Sequence, residues 1–342
     1  MSATLAEAPV VTRQLVASEA LPRPRAVWLR AAVAVLAAPV VGLLVLLAHW
    51  YLPNKQIAPP TKFFPLVLEI GIGITLFMAA IQCVARPVRP WIRAKAPLWG
   101  GFFFLLGLWD FVTLKMAWMP MPYFPGPDMV FQGLVNERSV LLDSTYHSLR
   151  LLLTGYLAGV VAGVFWGVLM GWFLNVRYWG MPLMKMIGPI PATALVPTAM
   201  VLSSNADISG AALIAWGVWF PVTMLTTSGI ANVPVSYLEV ARTLGAGRLY
   251  LIFRVAIPAA MPSMFVGVFM GLLVSFLALI VAETVGVKNG LGYYITWKQG
   301  YAEYGKVYGA IVIMAVCFSG LLTLLFKVRD WALVWQRGVI KW

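Results

Sequence analysis

The sequence has little charge and few residues of the kinds that carry chemistry. Asp, Glu, Lys and Arg make up 11% of its 342 residues, against about a quarter in soluble domains, and 61% of the residues are hydrophobic. It has two histidines and two cysteines, and it shows no metal-ligand spacing, phosphate-binding glycine loop or nucleophile motif. The composition therefore predicts an integral membrane protein that is not itself an enzyme.

The two cysteines and the net charge each exclude a class of protein. Cys83 and Cys317 lie inside apolar stretches, where cysteine usually serves as a small buried hydrophobic residue, so no disulfide framework is expected. The net charge of +13 could indicate nucleic-acid binding. However, the basic residues lie mainly in short segments between apolar runs, as the positive-inside rule requires. We therefore expect membrane lipid, and no nucleic acid, as a partner.

Eight stretches are long and apolar enough to cross a membrane, which takes about 20 helical residues. They lie at about 30–52, 63–85, 98–118, 145–172, 180–202, 208–230, 258–284 and 307–327. The sequence thus predicts an all-α integral membrane fold with about eight transmembrane helices.

The distribution of basic residues predicts the orientation. With the N-terminus inside, 17 of the 25 Lys and Arg lie on the cytoplasmic side, and the opposite orientation would invert this ratio. Residues 1–25 are interpreted as a cytoplasmic tail rather than a signal peptide, because the apolar run Ala26–Leu52 is too long for one. Both termini are predicted to be cytoplasmic.

The segment Asn232–Pro258 is unusually polar for its position between two apolar spans. We expect a first helix at Val235–Leu244, followed by a C-cap and bend at Gly245–Gly247. A second short helix, Arg248–Val255, is expected to stop before Pro258, whose ring removes a hydrogen-bond donor. The pattern therefore predicts a bent helical hairpin on the cytoplasmic side.

This segment also matches a signature, E-A-A followed by G and by an I-x-x-P-like ending, at Glu239, Ala241, Gly245, Ile257 and Pro258. It resembles the coupling loop of ATP-binding-cassette importer permeases, with Val240 in place of the usual second alanine. Arg242 and Arg254 make it most similar to the nitrate, sulfonate, taurine and bicarbonate branch. An alternative for Glu239 is a capping box with Ser236, which would only begin a helix.

The resemblance covers about Gly107 to Trp342. It begins near Trp109 and Asp110, which are similar to a Trp-Glu pair of the family, and includes the Pro-Gly-Pro sequence within Phe124–Asp128. After Pro197 the chain departs from the family, which often has a Phe-Gly or glycine-acidic turn there.

The predicted spans and charges, together with the resemblance, imply a division into four parts. Residues 1–25 form the tail, and 26–97 hold two additional transmembrane helices with a basic cytoplasmic linker. Residues 98–328 form a six-helix permease core that contains the coupling loop 232–258, and 329–342 form a cytoplasmic amphipathic tail.

The resemblance also implies function and partners. Separate ATPase subunits would dock on the coupling loop, through Glu239, Ala241, Arg242 and Gly245 with the Ile257-Pro258 ending, and would bind the ATP and magnesium. This chain would hold no cofactor. A periplasmic substrate-binding protein and a second permease copy or homologue are the other expected partners, in a bacterial inner membrane. The expected substrate is a small anion such as nitrate, taurine, another sulfonate or bicarbonate.

Glycines and prolines mark the middle of the core. One face of the fourth span carries a glycine at every fourth position, at Gly155, Gly159, Gly163, Gly167 and Gly171. Such a face predicts close helix packing, with a conduit as the alternative. Interior prolines mark the fifth and sixth spans, at Pro182, Pro189, Pro191, Pro197 and Pro221. They indicate broken helices near a substrate path, and Pro197 is a candidate path residue.

Ionisable residues inside spans are functional candidates. Glu283 could form a gate or an inter-subunit hydrogen bond, or could be an interfacial carboxylate. Asp110 and Lys115 are expected to form a stabilising pair rather than a substrate site. Glu69 is expected to pair with a neighbour or to extend toward the interface.

The remaining candidates lie near the predicted outer surface. His49 and His147 are interpreted as hydrogen-bonding surface residues. The aromatic loop after Gly286 predicts a short amphipathic or re-entrant helix at Leu291–Gln299, which anchors at the interface or lies near the binding protein.

Three other classes of function remain as alternatives. An ion-gradient-driven secondary transporter would be expected to show inverted repeats, and no convincing repeat is visible. A membrane-bound enzyme would need clustered histidines or carboxylates, and an exporter would be expected to carry a fused nucleotide-binding domain. An importer of an unrelated small solute also stays open.

Overall fold

The computed structural model describes residues 24–56, 62–85, 87–203 and 205–336. Within them the regular structure is entirely helical. Most of the predicted N-terminal tail and the last part of the C-terminal tail, with Trp342, lie outside the described residues. The chain forms two compact units, Met1–Asp128 and Met129–Trp342.

The first unit contains three long helices. They are α1 (Pro24–Tyr51), α2 (Phe63–Val84) and α3 (Arg89–Asp110), and α3 continues as a π-helical turn, Phe111–Lys115. A small apolar core joins the three helices through Val35, Ala79, Ile92 and Ala96. By these contacts α3 packs with the two N-terminal helices.

The second unit holds the remaining helices. In chain order they are α4 (Pro127–Asn136, which begins at the boundary), α5 (Arg138–Trp172), α6 (Leu174–Ile187), α7 (Val196–Leu202), α8 (Ala206–Ala231), α9 (Val235–Thr243), α10 (Ile257–Val285), α11 (Leu291–Gly300) and α12 (Tyr304–Ala332). Helices α5, α8 and α10 form its centre, where Leu152, Ile214, Val218, Val222 and Leu279 are buried together.

The glycine face of α5 packs directly on α8, which confirms the packing interpretation. A Cβ atom on Gly163 would lie 2.7 Å from the Cβ of Val222, and one on Gly155 would lie 2.7 Å from the carbonyl oxygen of Ala211. Only glycine allows such an approach of two helix backbones. The conduit alternative is wrong for this face, because α8 occupies it.

Among the described residues, fewer helices are long and apolar enough to cross a membrane than the eight that the sequence predicts. Six helices are long and apolar enough to cross a membrane, or up to seven if a bent pair counts as one span. The described apolar part of α1, Val35–Tyr51, is shorter.

The bent pair confirms the broken helix that Pro189 and Pro191 predict within the apolar stretch at 180–202. Leu174–Ile187 and Ala192–Val201 meet at 81°. Pro189 and Pro191 lie in the break, where the first helix cannot continue because proline lacks the N–H and restricts the residue before it. Pro221, by contrast, is accommodated inside α8 without a break.

Candidate functional site

The polar stretch between α8 and α10, residues 232–258, is a bent helical hairpin, which we call the hairpin segment. Its first helix, α9, ends within one residue of the predicted boundary. The helix begins after Pro234 with no side-chain cap. The capping-box alternative for Ser236 and Glu239 is therefore wrong, and the carboxylate of Glu239 is exposed instead.

The bend after α9 is a glycine C-cap, as predicted. Gly245 has a φ of +86°, a conformation that an L-residue with a Cβ rarely adopts. The N–H groups of Gly245 and Ala246 donate to the carbonyl oxygens of Arg242, at 2.9 Å, and Ala241, at 3.0 Å. These bonds satisfy the last carbonyls of the helix and reverse the chain.

The second arm of the hairpin differs from the prediction. A helical turn at Arg248–Tyr250 passes into a π-helical stretch, Leu251–Ala256, and then directly into α10. The predicted stop is wrong, because the helix runs on without interruption, but Pro258 lies in the first turn of α10 and so begins the next span as expected. Pro258 has no N–H to donate to the preceding helical turn, and the wider π-helical turn accommodates this missing hydrogen bond.

The hairpin segment has a buried base and an exposed tip. At the base, Val233 and Ala256 are buried in one apolar cluster with Ile230 and Ala260, and Leu238 packs against it. No residue of α9 is buried. The base therefore holds the hairpin against the ends of α8 and α10, while α9 and the turn Arg248–Tyr250 present their side chains outward.

The exposed part of the hairpin segment carries a cluster of apolar side chains among its charged ones. A groove of about 510 Å³ runs between its arms and is lined in part by Tyr237, Val240, Leu244 and Tyr250. Leu244 is 83% exposed and Val240 is 61% exposed, and Arg242 adds an exposed charge beside them. Exposed apolar side chains in such a cluster are typical of a surface that another protein covers.

Glu283 lies at the opposite end of this unit, near the end of α10. Its side chain is buried, with 1% of the residue exposed. The hydroxyl of Ser148 donates to Oε1 over 2.6 Å, and the N–H of Gly292 donates to Oε2 over 2.7 Å. Glu283 thus bonds within its own chain, to α5 and α11, and is not a surface carboxylate.

Helix α11 confirms the predicted short helix, and two acceptor groups hold its ends. At its start, the Oγ of Ser148 accepts from the N–H of Leu291 at 2.8 Å. Near its end, the Nζ of Lys298 donates to Glu137 at 2.9 Å. The sequence does not single out Ser148 and Glu137, because an isolated serine within a span or an isolated glutamate before one carries no pattern of its own.

Glu137 is the centre of an ionic network between α5, α11 and α12. Its carboxylate contacts the Nζ atoms of Lys298 and Lys306, and the hydroxyl of Tyr294 donates to it at 2.8 Å. Burial acts to raise the pKa of Glu137, but the hydrogen bonds from Lys306, Lys298 and Tyr294 outweigh it and lower the pKa to about 2. A hydrogen bond from Lys306 also lowers the pKa of Glu303.

In the first unit, Asp110 and Lys115 do not pair with each other as expected. Lys115 donates to the carbonyl oxygens of His49 at 2.8 Å and Leu52 at 2.6 Å, and to the side chain of Asn54 at 2.7 Å. Its ammonium therefore holds the end of α1. The π turn at Phe111–Lys115 alters the helical register that suggested a pair.

Asp110 instead contacts His49, which is not the surface residue that was expected. The Nδ1 of His49 lies 3.1 Å from Asp110, and Nε2 lies 3.4 Å from Asp128. The imidazole is 11% exposed between these two carboxylates. His147, by contrast, is a half-buried side chain bonded to Asp143 of its own helix, close to the expectation.

The other predicted residues lie apart from these groups. Glu69 is exposed on α2 and has no ion pair among the residues described here. Pro197 is exposed in the first turn of α7. Cys317 is a half-buried free thiol, while the side chain of Cys83 lies outside the description.

Comparison with known sequences gives consistent matches. The family described as "Binding-protein-dependent transport system inner membrane component" matches residues 159–332, more than half of the chain. A Bacillus subtilis protein named as an aliphatic sulfonates transport permease, SsuC, is 33% identical over 188 residues, covering 55% of this chain and 66% of that protein. The protein of the same name from Escherichia coli is 28% identical over 240 residues, covering 68% and 89%.

A third relative and one solved structure complete the comparison. The nitrate import permease protein NrtB of Leptolyngbya laminosa is 26% identical over 243 residues, covering 69% of this chain and 85% of that protein. A chain of the methionine ABC transporter MetNI, in an inward facing conformation, is similar in fold with a TM-score of 0.50 at 15% identity. That match covers 58% of this chain and 98% of the other.

Proposed function

The chain belongs to the family of binding-protein-dependent transport system inner membrane components, and we propose that it couples ATP hydrolysis on separate subunits to the import of a small anion. As a member of this family, the chain is the permease component of an ATP-binding-cassette importer. The proposal concerns how this permease is driven, which way it is oriented and what it carries.

The observation that carries the proposal is the buried base and exposed apolar tip of the hairpin segment. Force can pass through a surface element only if that element is rigidly joined to the spans it must move. Here α8 and α10 meet at the base through Ile230, Val233 and Ala260, while Val240 and Leu244 stay exposed. We therefore assign the hairpin to the contact with an ATPase subunit.

Residues of the hairpin segment have distinct roles in this proposal. Glu239 and Arg242 are exposed and would contact the ATPase, with Ala241 between them. Gly245 permits the bend, and the Ile257-Pro258 step begins the helix that carries the motion into the membrane. The approach of two ATPase subunits on binding ATP would draw the hairpins of two permease copies or homologues together and open the path outward, and hydrolysis would reset it.

The orientation in this proposal follows the positive charge. With eight crossings and both termini in the cytoplasm, the hairpin segment faces the compartment that holds ATP. The bent pair at Leu174–Ile187 and Ala192–Val201 counts as one of the eight crossings, and α1 as another. A periplasmic binding protein would then meet the opposite end of α8, near α11.

The substrate class is proposed from the relatives. The proteins from Bacillus subtilis and Escherichia coli are named for aliphatic sulfonates, and the one from Leptolyngbya laminosa for nitrate. Sulfonates and nitrate are both small oxyanions, and this shared chemistry supports an anionic substrate for this chain. Pro197 remains a candidate for the path that this substrate takes.

The test is hydrolysis by the assembled complex. The tagged chain is purified from membranes with its co-purifying ATPase and binding protein, and ATP hydrolysis is measured with and without the loaded binding protein. Glu239→Lys should abolish the stimulation without loss of the protein from the membrane. Glu69→Lys makes the same change at an exposed glutamate of α2 and should preserve it.

Two results would contradict the proposal. One is full stimulation in the Glu239→Lys complex. The other is a chain that purifies without any ATPase even after crosslinking through a cysteine placed at Glu239.

A further inference from the structure

A cavity of about 220 Å³ lies at the end of α8 opposite the hairpin segment. Its polar lining comes from three helices and one turn: His147, Arg150 and Thr154 of α5, Asp207 of α8, Glu283 of α10, and Asn289. Helix α8 has 26 residues, so its rise of about 1.5 Å per residue separates the cavity from the hairpin by roughly the thickness of a membrane core.

The buried carboxylate of Glu283 forms no ion pair with a lysine or arginine among the described residues, and His147, which lines the same cavity, is the one titratable group whose charge acts on it. The carboxylate accepts two hydrogen bonds, from Ser148 and Gly292, and both donors are neutral. A carboxylate has about four acceptor positions. A buried charge without a counter-ion is costly, so buried carboxylates are normally paired with a cation. Glu283 is one of the residues that line the cavity.

Two further charges line the same cavity without forming an ion pair in the described part of the chain. Arg150 lies on α5, one turn from His147 and four residues before Thr154, so these three side chains share one helix face. Asp207 lies at the start of α8. The cavity therefore has donor groups on its α5 side and carboxylates from α8 and α10.

We propose that this cavity binds a small zwitterion, with its ammonium at Glu283 and Asp207 and its sulfonate or carboxylate at Arg150. The inference rests on the importer function proposed above and narrows its substrate class from an anion to an anion that also carries an amine. The geometry disfavours a simple anion, because two carboxylates line the site and would repel it. The volume admits only a small solute, since pockets for drug-sized ligands begin at about 300 Å³.

The direct test measures binding to the purified full chain in lipid nanodiscs by isothermal titration calorimetry. The probes are taurine, β-alanine and ethanesulfonate, which has the size of taurine but lacks the amine. We expect taurine or β-alanine to bind at least tenfold more tightly than ethanesulfonate. Taurine alone would identify a sulfonate preference, and β-alanine alone a carboxylate preference.

Two substitutions separate charge recognition from damage to the structure. Asp207→Asn should weaken binding of the zwitterion at least fivefold and leave or improve that of ethanesulfonate, because it removes a negative charge. Arg150→Gln should weaken all three probes. Arg138→Gln changes an exposed arginine on the same helix outside the cavity and should change none of them.

Equal binding of ethanesulfonate and taurine, or no binding of any probe at about 10 mM, would overturn the proposal. Failure of the importer function is a different result. It would appear as loss of ATPase association or of hairpin-dependent stimulation, which the binding measurement does not involve. A stimulated ATPase with no zwitterion binding would reject the cavity assignment alone.

Discussion

The hydroxyl of Ser148 donates to the Oε1 of Glu283 over 2.6 Å and accepts from the N–H of Leu291 at 2.8 Å. One side chain thereby joins three helices that are far apart in the chain, α5, α10 and α11. A Cβ on Gly290 would come close to the Glu283 carboxylate, so the turn before α11 approaches it too closely for any larger residue. The end of the unit opposite the hairpin segment is held by this connection.

Ser148→Ala should destabilise the protein by about 1–3 kcal/mol, because it removes one of the two hydrogen bonds to the buried carboxylate and leaves the Leu291 N–H without its Ser148 acceptor. Thermal unfolding in detergent, followed by tryptophan fluorescence, measures the change. Ser236→Ala, at an exposed serine of α9 without a capping bond, is the matched control and should have little effect. Equal melting temperatures for the two variants would show that the Ser148 connection contributes nothing.

Gly163→Val should prevent the close approach of α5 and α8. The new Cβ would lie 2.7 Å from that of Val222 and 3.0 Å from the carbonyl oxygen of Trp219. Both neighbours belong to a packed helix, so we expect a loss of about 1–3 kcal/mol or failure to fold. Folded yield and melting temperature of the purified protein are the measurements.

Gly320→Val provides the control for this substitution. Gly320 lies inside α12, and a Cβ there would meet nothing within 4 Å. The change in its melting temperature measures the effect of the helix propensity of valine in the absence of a steric clash. If Gly163→Val were as stable as Gly320→Val, the helices could separate without loss, and the packing role of the glycine face would be refuted.

Gly245→Ala tests the bend of the hairpin segment. A Cβ at this position meets no atom within 4 Å, so the change acts only through the φ of +86°. The left-handed conformation costs an L-residue about 1–2 kcal/mol. We expect reduced stimulation of the ATPase in the assembled complex with little change in the melting temperature of the spans.

Gly247→Ala is the control for the bend, because Gly247 has a φ of −74° and equally open surroundings. It should behave like the unmodified protein in the hydrolysis measurement. An equal loss of stimulation in both variants would mean that the left-handed turn is not what matters.

The Glu137 network predicts a dependence of stability on pH. The pKa of Glu137 falls to about 2 in the folded protein, whereas a glutamate in an unfolded chain has a pKa of about 4.3. The unfolded state therefore binds the proton first as the pH falls, and stability is lost between about pH 5 and pH 2. Above pH 5 this contribution is fully present.

Melting temperatures between pH 7 and pH 3 measure that contribution. Glu137→Gln should melt lower at pH 7 and should lose less stability on acidification than the unmodified protein. Glu69→Gln, at an exposed acid outside the network, should follow the unmodified curve. Parallel curves for Glu137→Gln and the unmodified protein would exclude the network as the cause.

Local sequence patterns predict the structure correctly where that structure depends on residues close together in the chain. The glycine spacing on α5 predicted a packing face, and the bend at Gly245–Gly247 and the helix Leu291–Gln299 followed from turn and periodicity rules. Each depends on neighbours within one or two helical turns. The family was identified from the Glu239 and Gly245 pattern for the same reason.

Long-range partners could not be read in this way. Lys115 and Asp110 are close in sequence, and so they were expected to pair, but the π turn sends Lys115 to the end of α1 and Asp110 to His49. The prolines predict a break in the stretch at 180–202, but neither they nor its apolar composition reports the 81° angle of the bend.

The sequence by itself determined that this chain is a helical membrane protein, because the free energy of apolar transfer depends on composition and run length. It also determined the hairpin segment, whose turn needs a glycine at one position. Only the tertiary structure decided which charges meet. Glu283 and Ser148 are 135 residues apart, and no local rule joins them; the packing of α5 against α8 and α10 brings them together.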